Sequence, residues 1–114
     1  MSEQPKLSED PMYQLLREEN VHDFNLQRAQ GVQCDLHGVD LRGLNLRNLN
    51  AEGLDFSDAY LHGADLRGID FRNSRLEGVS FKAANISGCY FPKELRAEEL
   101  LASVSHGIRV RYNS

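Results

Sequence analysis

Residues 34–68 read CDLHG VDLRG LNLRN LNAEG LDFSD AYLHG ADLRG, which is a single five-residue pattern written seven times in succession. The third residue of each unit is Leu, Phe or Ala, and the second is Asp, Asn or Tyr. Read outward in the same register, the pattern runs from Phe24 to Lys93 as fourteen units without an insertion. A period of five matches neither an α-helix nor a continuous strand, so the sequence predicts a repeat architecture.

The positions within a unit differ in their chemistry. Twelve of the fourteen third positions hold Leu, Phe or Ile, only Ser74 is polar among the first positions, and seven of the fifth positions are Gly. Positions one to three alternate as in a very short strand, whereas positions four and five suit a turn. Four such units would close a square coil of twenty residues. Successive coils are expected to stack at about 4.8 Å, with third-position side chains filling the axis.

The units VDLRG, ADLRG and LNLRN resemble A(D/N)LxG, the signature of the pentapeptide repeat family. The resemblance implies an all-β fold, a right-handed quadrilateral β-helix, which the fourteen units would wind into 3.5 coils over residues 24–93. The chain is also similar to short bacterial members of this family that have helical ends. Left-handed hexapeptide helices need a period of six, and a leucine-rich motif should return only after about twenty residues or more.

Helices are predicted to close both ends of the repeat, because open edges of a β-helix otherwise invite pairing. The predicted segments are a tail and capping helix at 1–23, the repeats at 24–93, and a capping helix with a short strand at 94–114. Asp10 suits the N-cap of a helix over residues 11–20, with Pro11 at its first position.

The C-terminal segment combines an apolar helical face with an alternating run. The residues predicted either to cap the last coil or to form a homodimer interface are Ala97, Leu100, Leu101, Val104, Ile108, Val110 and Tyr112. Gly107 is placed to end the helix, and Arg109 and Arg111 would point outward from the strand. In relatives resembling gyrase inhibitors the C-terminal part mediates dimers, so the resemblance makes a homodimer one of the expectations.

Two third positions are small, Gly31 and Ala51, and they lie twenty residues apart in one column. We expect Phe71 to fill the space above Ala51 and a capping residue to fill the space near Gly31, because protein interiors are close-packed. A small cavity for an apolar ligand is the alternative interpretation.

Composition narrows the functional classes. The net charge of −4 argues against non-specific nucleic-acid binding, which needs a basic surface. No apolar leader or membrane-spanning run is visible, and the two cysteines, Cys34 and Cys89, are too few for a secreted disulfide framework, so a cytoplasmic location is expected. Catalytic motifs and clustered metal ligands are absent from the sequence, which predicts a non-enzymatic protein with no cofactor and no metal.

Outward charges are zoned when the units are sorted by side of the predicted coil. Side 1 holds 34–38, 54–58 and 74–78, and side 2 holds 39–43, 59–63 and 79–83. Side 3 holds 24–28, 44–48, 64–68 and 84–88, and side 4 holds 29–33, 49–53, 69–73 and 89–93. The candidate acidic docking residues on side 1 are Asp35, Asp55, Asp58 and Glu77. The candidate basic residues on sides 2 and 3 are Arg42, His62, Lys82, Arg28, Arg47 and Arg67. Solenoids commonly bind partners on a flat side, although chance zoning of solubilising charge is the alternative.

Three functional hypotheses follow. The first is a non-catalytic interaction or scaffold module that binds an unknown protein through one side or its helical ends. The second, implied by the resemblance, is a DNA-mimicking modulator of DNA gyrase or topoisomerase, but eight acidic against eight basic residues in the repeat give no duplex-like charge. The third is a structural rod that self-assembles end to end. Direct binding of nucleic acid or membrane is not expected.

Overall fold

Helices lie at both ends of the chain, and the repeats lie between them. A computed structural model describes residues 7–112. The helices are α1, Pro11–Arg17; α2, Val21–Ala29; and α3, Ala97–His106. Throughout the described range the repeats contain isolated single-residue β-bridges and no regular strand, since each unit turns before a longer ladder can form.

Residues twenty positions apart lie side by side in parallel. Bridges join Asp40 to Tyr60 and Tyr60 to Ser80. Backbone bonds repeat the step, since the Leu41 N–H donates to Tyr60 O and the Leu61 N–H to Ser80 O, each over 2.9 Å. The chain therefore advances by one layer every twenty residues, the period that four units of five predict. The right hand and the square cross-section stay predictions.

The interior and the turns follow the positions within the unit. The fully buried third-position side chains are Leu36, Leu41, Leu46, Phe56, Leu61, Leu66, Phe71, Leu76 and Phe81. Most fifth positions turn the chain with a left-handed φ, and they do so even where the residue is not Gly, as at Asn48, Asp58 and Ala83. Burial of the third position and turning at the fifth are thus observed as the sequence predicts.

The first two predicted units, 24–28 and 29–33, are wrong, because α2 occupies most of them. Asn20 caps α2 by accepting from the Asp23 N–H, and the buried Val21 and Phe24 are three residues apart, on one face of the helix. Leu26, predicted to fill the axis, is 49% exposed on α2. A local cap and helical spacing therefore override the five-residue register here.

The repeats begin at Cys34, so Gly31 lies in an exposed loop outside the stack. Without Gly31, the predicted column of third positions holds only Ala51, Phe71 and Phe91. Phe71 is 1% exposed, and its ring centroid lies 5.8 Å from that of Phe56 and 5.6 Å from that of Phe91.

The predicted N-terminal helix over 11–20 is correct in its start but too long. The Asp10 side chain accepts from the Met12 N–H over 2.8 Å, which confirms the N-cap, and the helix ends at Arg17. The following helix α2 was not predicted. Both helices lie on the first layer, where the Tyr13 hydroxyl donates to Asp40 O over 2.7 Å.

The C-terminal helix forms with a different buried face from the predicted one. Gly107 ends α3 in a left-handed conformation, as predicted. Leu100 and Val104 pack on the core, but Leu101 is 61% exposed and Ala97 is also exposed. Ser103 takes the buried place instead because its hydroxyl has a backbone partner, described below.

Candidate protein-docking surface

The segment 108–112 closes the end of the repeats above side 1. The Gly78 N–H donates to Val110 O over 2.8 Å, and the Val110 N–H donates to Val79 O over 2.9 Å. The Leu76 N–H donates to the Tyr112 hydroxyl, also over 2.8 Å. The predicted strand is thus a single antiparallel bridge, Arg109 to Ser80, and Val110 is completely buried while Ile108 is 46% exposed.

Helix α3 closes the end above side 2. The Phe81 N–H donates to the Ser103 hydroxyl over 2.8 Å, and the Ala83 N–H donates to Val104 O over 3.0 Å. The exposed donors of the last layer on sides 1 and 2 therefore have partners within the chain. This is the capping role predicted for the C-terminal segment.

Arg109 points back onto the protein, contrary to its predicted outward direction. Its guanidinium donates to Gly78 O over 2.7 Å and to the Tyr60 hydroxyl over 2.6 Å. It also lies 3.6 Å from an Asp58 carboxylate oxygen. These three acceptors, a carbonyl, a hydroxyl and a carboxylate, draw the Arg109 side chain toward the repeats and away from water. Arg109 thereby holds the C-terminal segment on the last layers.

The acidic residues of side 1 are largely engaged within the chain. Asp35 and Asp55 each accept the N–H two residues later, from His37 and Ser57. Asp58 faces Arg109, as described above, and Glu77 accepts from the Tyr112 N–H and faces Arg111. The four residues do lie together on one side, but two of them hold the C-terminal segment.

The basic residues of sides 2 and 3 are also paired locally. Arg42 binds Asp40 and Arg67 binds Asp65 through two bonds each, at 2.8–2.9 Å. The Arg67 guanidinium lowers the pKa of Asp65 to about 2. Arg47 lies 3.5 Å from the same carboxylate.

Arg28, predicted to extend side 3, lies on α2 instead. It donates to Val32 O and to Glu52 O, each over 3.1 Å. Lys82 is exposed and lies over the Gly107 turn. The predicted basic surface is therefore smaller than the sequence suggests.

His62 links side 2 to the C-terminal cap. Its Nε2 lies 2.7 Å from the Ser80 hydroxyl, which donates to Gly107 O over 3.1 Å, so His62 is the donor in that pair. Burial, followed by the charges of Arg42 and Lys82, lowers the pKa of His62; Arg109 adds to the effect and Asp40 opposes it.

A lowered histidine pKa predicts a loss of stability in mild acid. The contribution of His62 is complete above its ordinary pKa of 6.5 and declines as the pH falls below that value, because the unfolded chain takes up the proton first. We expect the Tm of the wild type to fall more steeply from about pH 7 to about pH 5 than that of His62→Gln. Equal slopes in thermal melts of the two proteins would show that the His62 environment is not as described.

On side 3 the end of the last layer is open. One layer earlier, the Leu66 N–H donates to Asn85 O and the Gly68 N–H to Ser87 O, over 2.9 and 3.0 Å. The corresponding donors of the last layer, the N–H groups of Ile86 and Gly88, have no acceptor among residues 7–112.

The acceptors at this edge are likewise open. Within the described residues no donor reaches Ala84 O or Cys89 O, although Ala64 O, one layer earlier, accepts from the Asn85 N–H. We call residues 84–89 the open edge. It borders on partly exposed Ile86 and on Tyr90, which is 58% exposed beneath the Arg72 guanidinium.

The N-terminal end, by contrast, is covered on the same side. The Asn45 N–H donates to the Glu19 carboxylate over 2.6 Å. Asn25 accepts from the Asn50 N–H and donates to Asn48 O, both over 2.9 Å. Side chains of the N-terminal helical region therefore pair with these backbone groups of the first layer. The open edge lies only at the C-terminal end of side 3.

Sequence reasoning did not find the open edge. The repeat pattern gives 84–88 the same form as earlier units. This unit is uncovered only because the C-terminal segment binds on sides 1 and 2 and does not reach side 3. The sequence of residues 84–89 carries no signal of its own that marks this unit as uncovered.

Other candidate sites are weak. A depression of about 350 Å³ beside the start of α2 is open and lined mostly by polar residues, among them His22, Arg47 and Asn48. Among residues 7–112, no three His, Cys, Asp or Glu side chains are grouped to hold a metal ion. None of the helices in that range has the length and apolar character needed to cross a membrane.

Parallel layers at a fixed twenty-residue period define a repeat protein. A family model described as pentapeptide repeats matches residues 34–75 and 55–91 with eight copies, and the chain belongs to the pentapeptide repeat family. The match begins at Cys34, where the structure also begins the repeats. No curated protein and no solved structure matches the chain. Such repeat proteins are typically non-enzymatic interaction or structural modules, and no catalytic family is indicated.

Proposed function

We propose that the protein is a non-catalytic interaction and scaffold module that binds a protein partner through the open edge. The observation that carries the proposal is the contrast between sides: the last-layer donors have partners on sides 1 and 2, whereas Ile86 and Gly88 have none within residues 7–112. Unpaired backbone groups beside partly exposed apolar side chains are a template for another chain.

The proposal includes a right-handed, four-sided β-helix as the scaffold and the cytoplasm as its compartment. Family membership, the twenty-residue step and the left-handed fifth positions support the β-helix. The free thiols of Cys34 and Cys89 support a reducing compartment.

The outward sides offer less to a partner than the open edge does. Most of their charges already form ion pairs or close local turns, so a partner would have to break those contacts before gaining new ones. The same pairing argues against DNA mimicry, which needs an uncompensated row of negative charge. A head-to-tail rod is disfavoured because α1 and α2 cover the first layer.

A charged residue at the open edge should abolish partner binding. Edge lysines block strand pairing, so the tagged variant Ile86→Lys is expected to lose proteins that the wild type retains from a cytoplasmic lysate at about 0.15 M salt. The matched control is Leu26→Lys, which places the same charge on an exposed apolar residue of α2, at the opposite end.

The comparison with the control decides the outcome. Retention by wild type and Leu26→Lys, with loss in a folded Ile86→Lys variant, is the expected pattern. Identical retention by all three would place the docking surface elsewhere. Retention of an untagged second copy, lost in Ile86→Lys, would identify the partner at the edge as a second copy of the protein.

A further inference from the structure

The open edge repeats the backbone geometry of the place where the C-terminal segment binds. At that place the chain offers the Leu76 N–H, the Gly78 N–H and Val79 O, all engaged by residues 110–112. Ten residues later the open edge offers the same groups in the same order. These groups are the Ile86 N–H, the Gly88 N–H and Cys89 O, with no partner in the described chain.

Burial separates the two places. Leu76 and Val79 are completely buried beneath the C-terminal segment, and Gly78 is buried as well. The corresponding Ile86 and Cys89 are only partly buried, and Gly88 is exposed. A Cβ added at Gly88 would meet only the Gly68 backbone below it, at 3.7 Å, so no side chain of the described residues crowds the space above.

We infer that the open edge is a second strand-docking site, which accepts an extended segment of a partner protein in the antiparallel manner of residues 110–112. This inference rests on the proposed function and names the partner's chemistry. One apolar residue takes the place of Val110, donating its N–H to Cys89 O and accepting from the Gly88 N–H. A hydrogen-bond acceptor two residues later, in the place of the Tyr112 hydroxyl, meets the Ile86 N–H. Strand addition of this kind draws affinity from the backbone and specificity from alternate side chains.

An extended segment fits this space better than a second copy of the chain. Helix α3 packs Leu100 and Val104 on the end of the core. A helix is about 10 Å across, twice the strand spacing of about 4.8 Å, so a second copy carrying its own α3 cannot bring its last layer within pairing distance. A single strand can lie beside α3.

The outward residues of the partner segment need not be cationic. Arg109 and Arg111 face Asp58 and Glu77 on side 1. The positions ten residues later are Gly68 and Ser87, which carry no charge. Polar uncharged residues flanking the apolar one therefore suit the open edge.

The test uses a synthetic capped peptide, GISVSY, which copies residues 107–112 with serine in place of both arginines and is added to the full-length chain. The expected result is slower amide exchange at Ile86 and Gly88, read by NMR, with Leu76 and Gly78 unchanged. Replacing the peptide valine by aspartate should weaken binding about tenfold or more, because a buried apolar side chain is lost.

Backbone methylation makes the test specific for strand pairing. N-methylation at the peptide valine removes the donor to Cys89 O and should abolish binding, whereas N-methylation at the serine after it, whose N–H points away from the edge, should not. Equal effects of the two methylations, or no slowing at Ile86 and Gly88 with millimolar peptide, would overturn the inference. If Ile86→Lys still abolished partner capture in that case, the proposed function would stand without strand addition.

Discussion

Replacing Phe71 by alanine is expected to destabilise the protein by about 3–5 kcal/mol, as for other buried aromatic residues. Its ring is buried and packs against those of Phe56 and Phe91, in the column that also holds the small Ala51. Residues in neighbouring layers cannot close such a cavity, because their backbones are tied by the parallel bridges. Urea unfolding followed by circular dichroism measures the loss, which is a large share of an ordinary domain's stability.

Tyr90→Ala is the matched control for this prediction. Tyr90 belongs to the same side as Phe71 but is 58% exposed, and its main contact is the Arg72 guanidinium, 4.7 Å from the ring centroid. Its loss should cost about 1 kcal/mol or less. Equal costs for Phe71→Ala and Tyr90→Ala would contradict the packing of the column.

Replacing Arg109 by alanine is expected to cost about 2 kcal/mol and to release the C-terminal segment. The side chain is only 23% exposed, and its guanidinium bonds Gly78 O and the Tyr60 hydroxyl. Hydrogen bonds from a charged group contribute about 1.5–3 kcal/mol each, and partial solvent access reduces the sum. Urea unfolding gives the stability, and faster exchange of the Gly78 amide reports the release.

Arg111→Ala provides the comparison at the neighbouring arginine. Arg111 is 49% exposed, and its ion pair with Glu77 spans 3.9 Å. Exposed pairs of this kind contribute little, so a change within about 0.5 kcal/mol is expected. If the two arginines proved equally important, Arg109 would not be the residue that holds the C-terminal segment.

Sequence periodicity predicted the repeats well because each position in a unit has one physical task. From Leu36 to Phe81 the third positions are buried, and most fifth positions turn the chain, so inward and outward residues could be assigned by counting. Periodicity failed at 24–33, where Phe24 and Leu26 fit the five-residue register while the local cap at Asn20 starts a helix. Where a sequence pattern fits two structures, local and tertiary contacts outside the pattern determine which of them forms.

The candidate surface was harder to predict than the fold. Charges could be assigned to sides by counting, but not their pairing: Arg28 lies on α2, and Arg109 folds inward onto Asp58 and Tyr60. Leu101 was predicted on the same packed face as Leu100, but Ser103 is buried in its place and Leu101 is exposed. The open edge depends on which backbone groups the C-terminal segment reaches, which is a property of tertiary structure.

Amide hydrogen exchange of the free protein, followed residue by residue with NMR, tests the open edge most directly. We expect fast exchange at Ile86 and Gly88, and slow exchange at Leu66 and Gly68 one layer earlier and at Leu76 and Gly78 beneath the C-terminal segment. Protection of Ile86 and Gly88 equal to that of Leu76 and Gly78 in dilute solution would show that the edge is already covered, and would contradict the docking site proposed there.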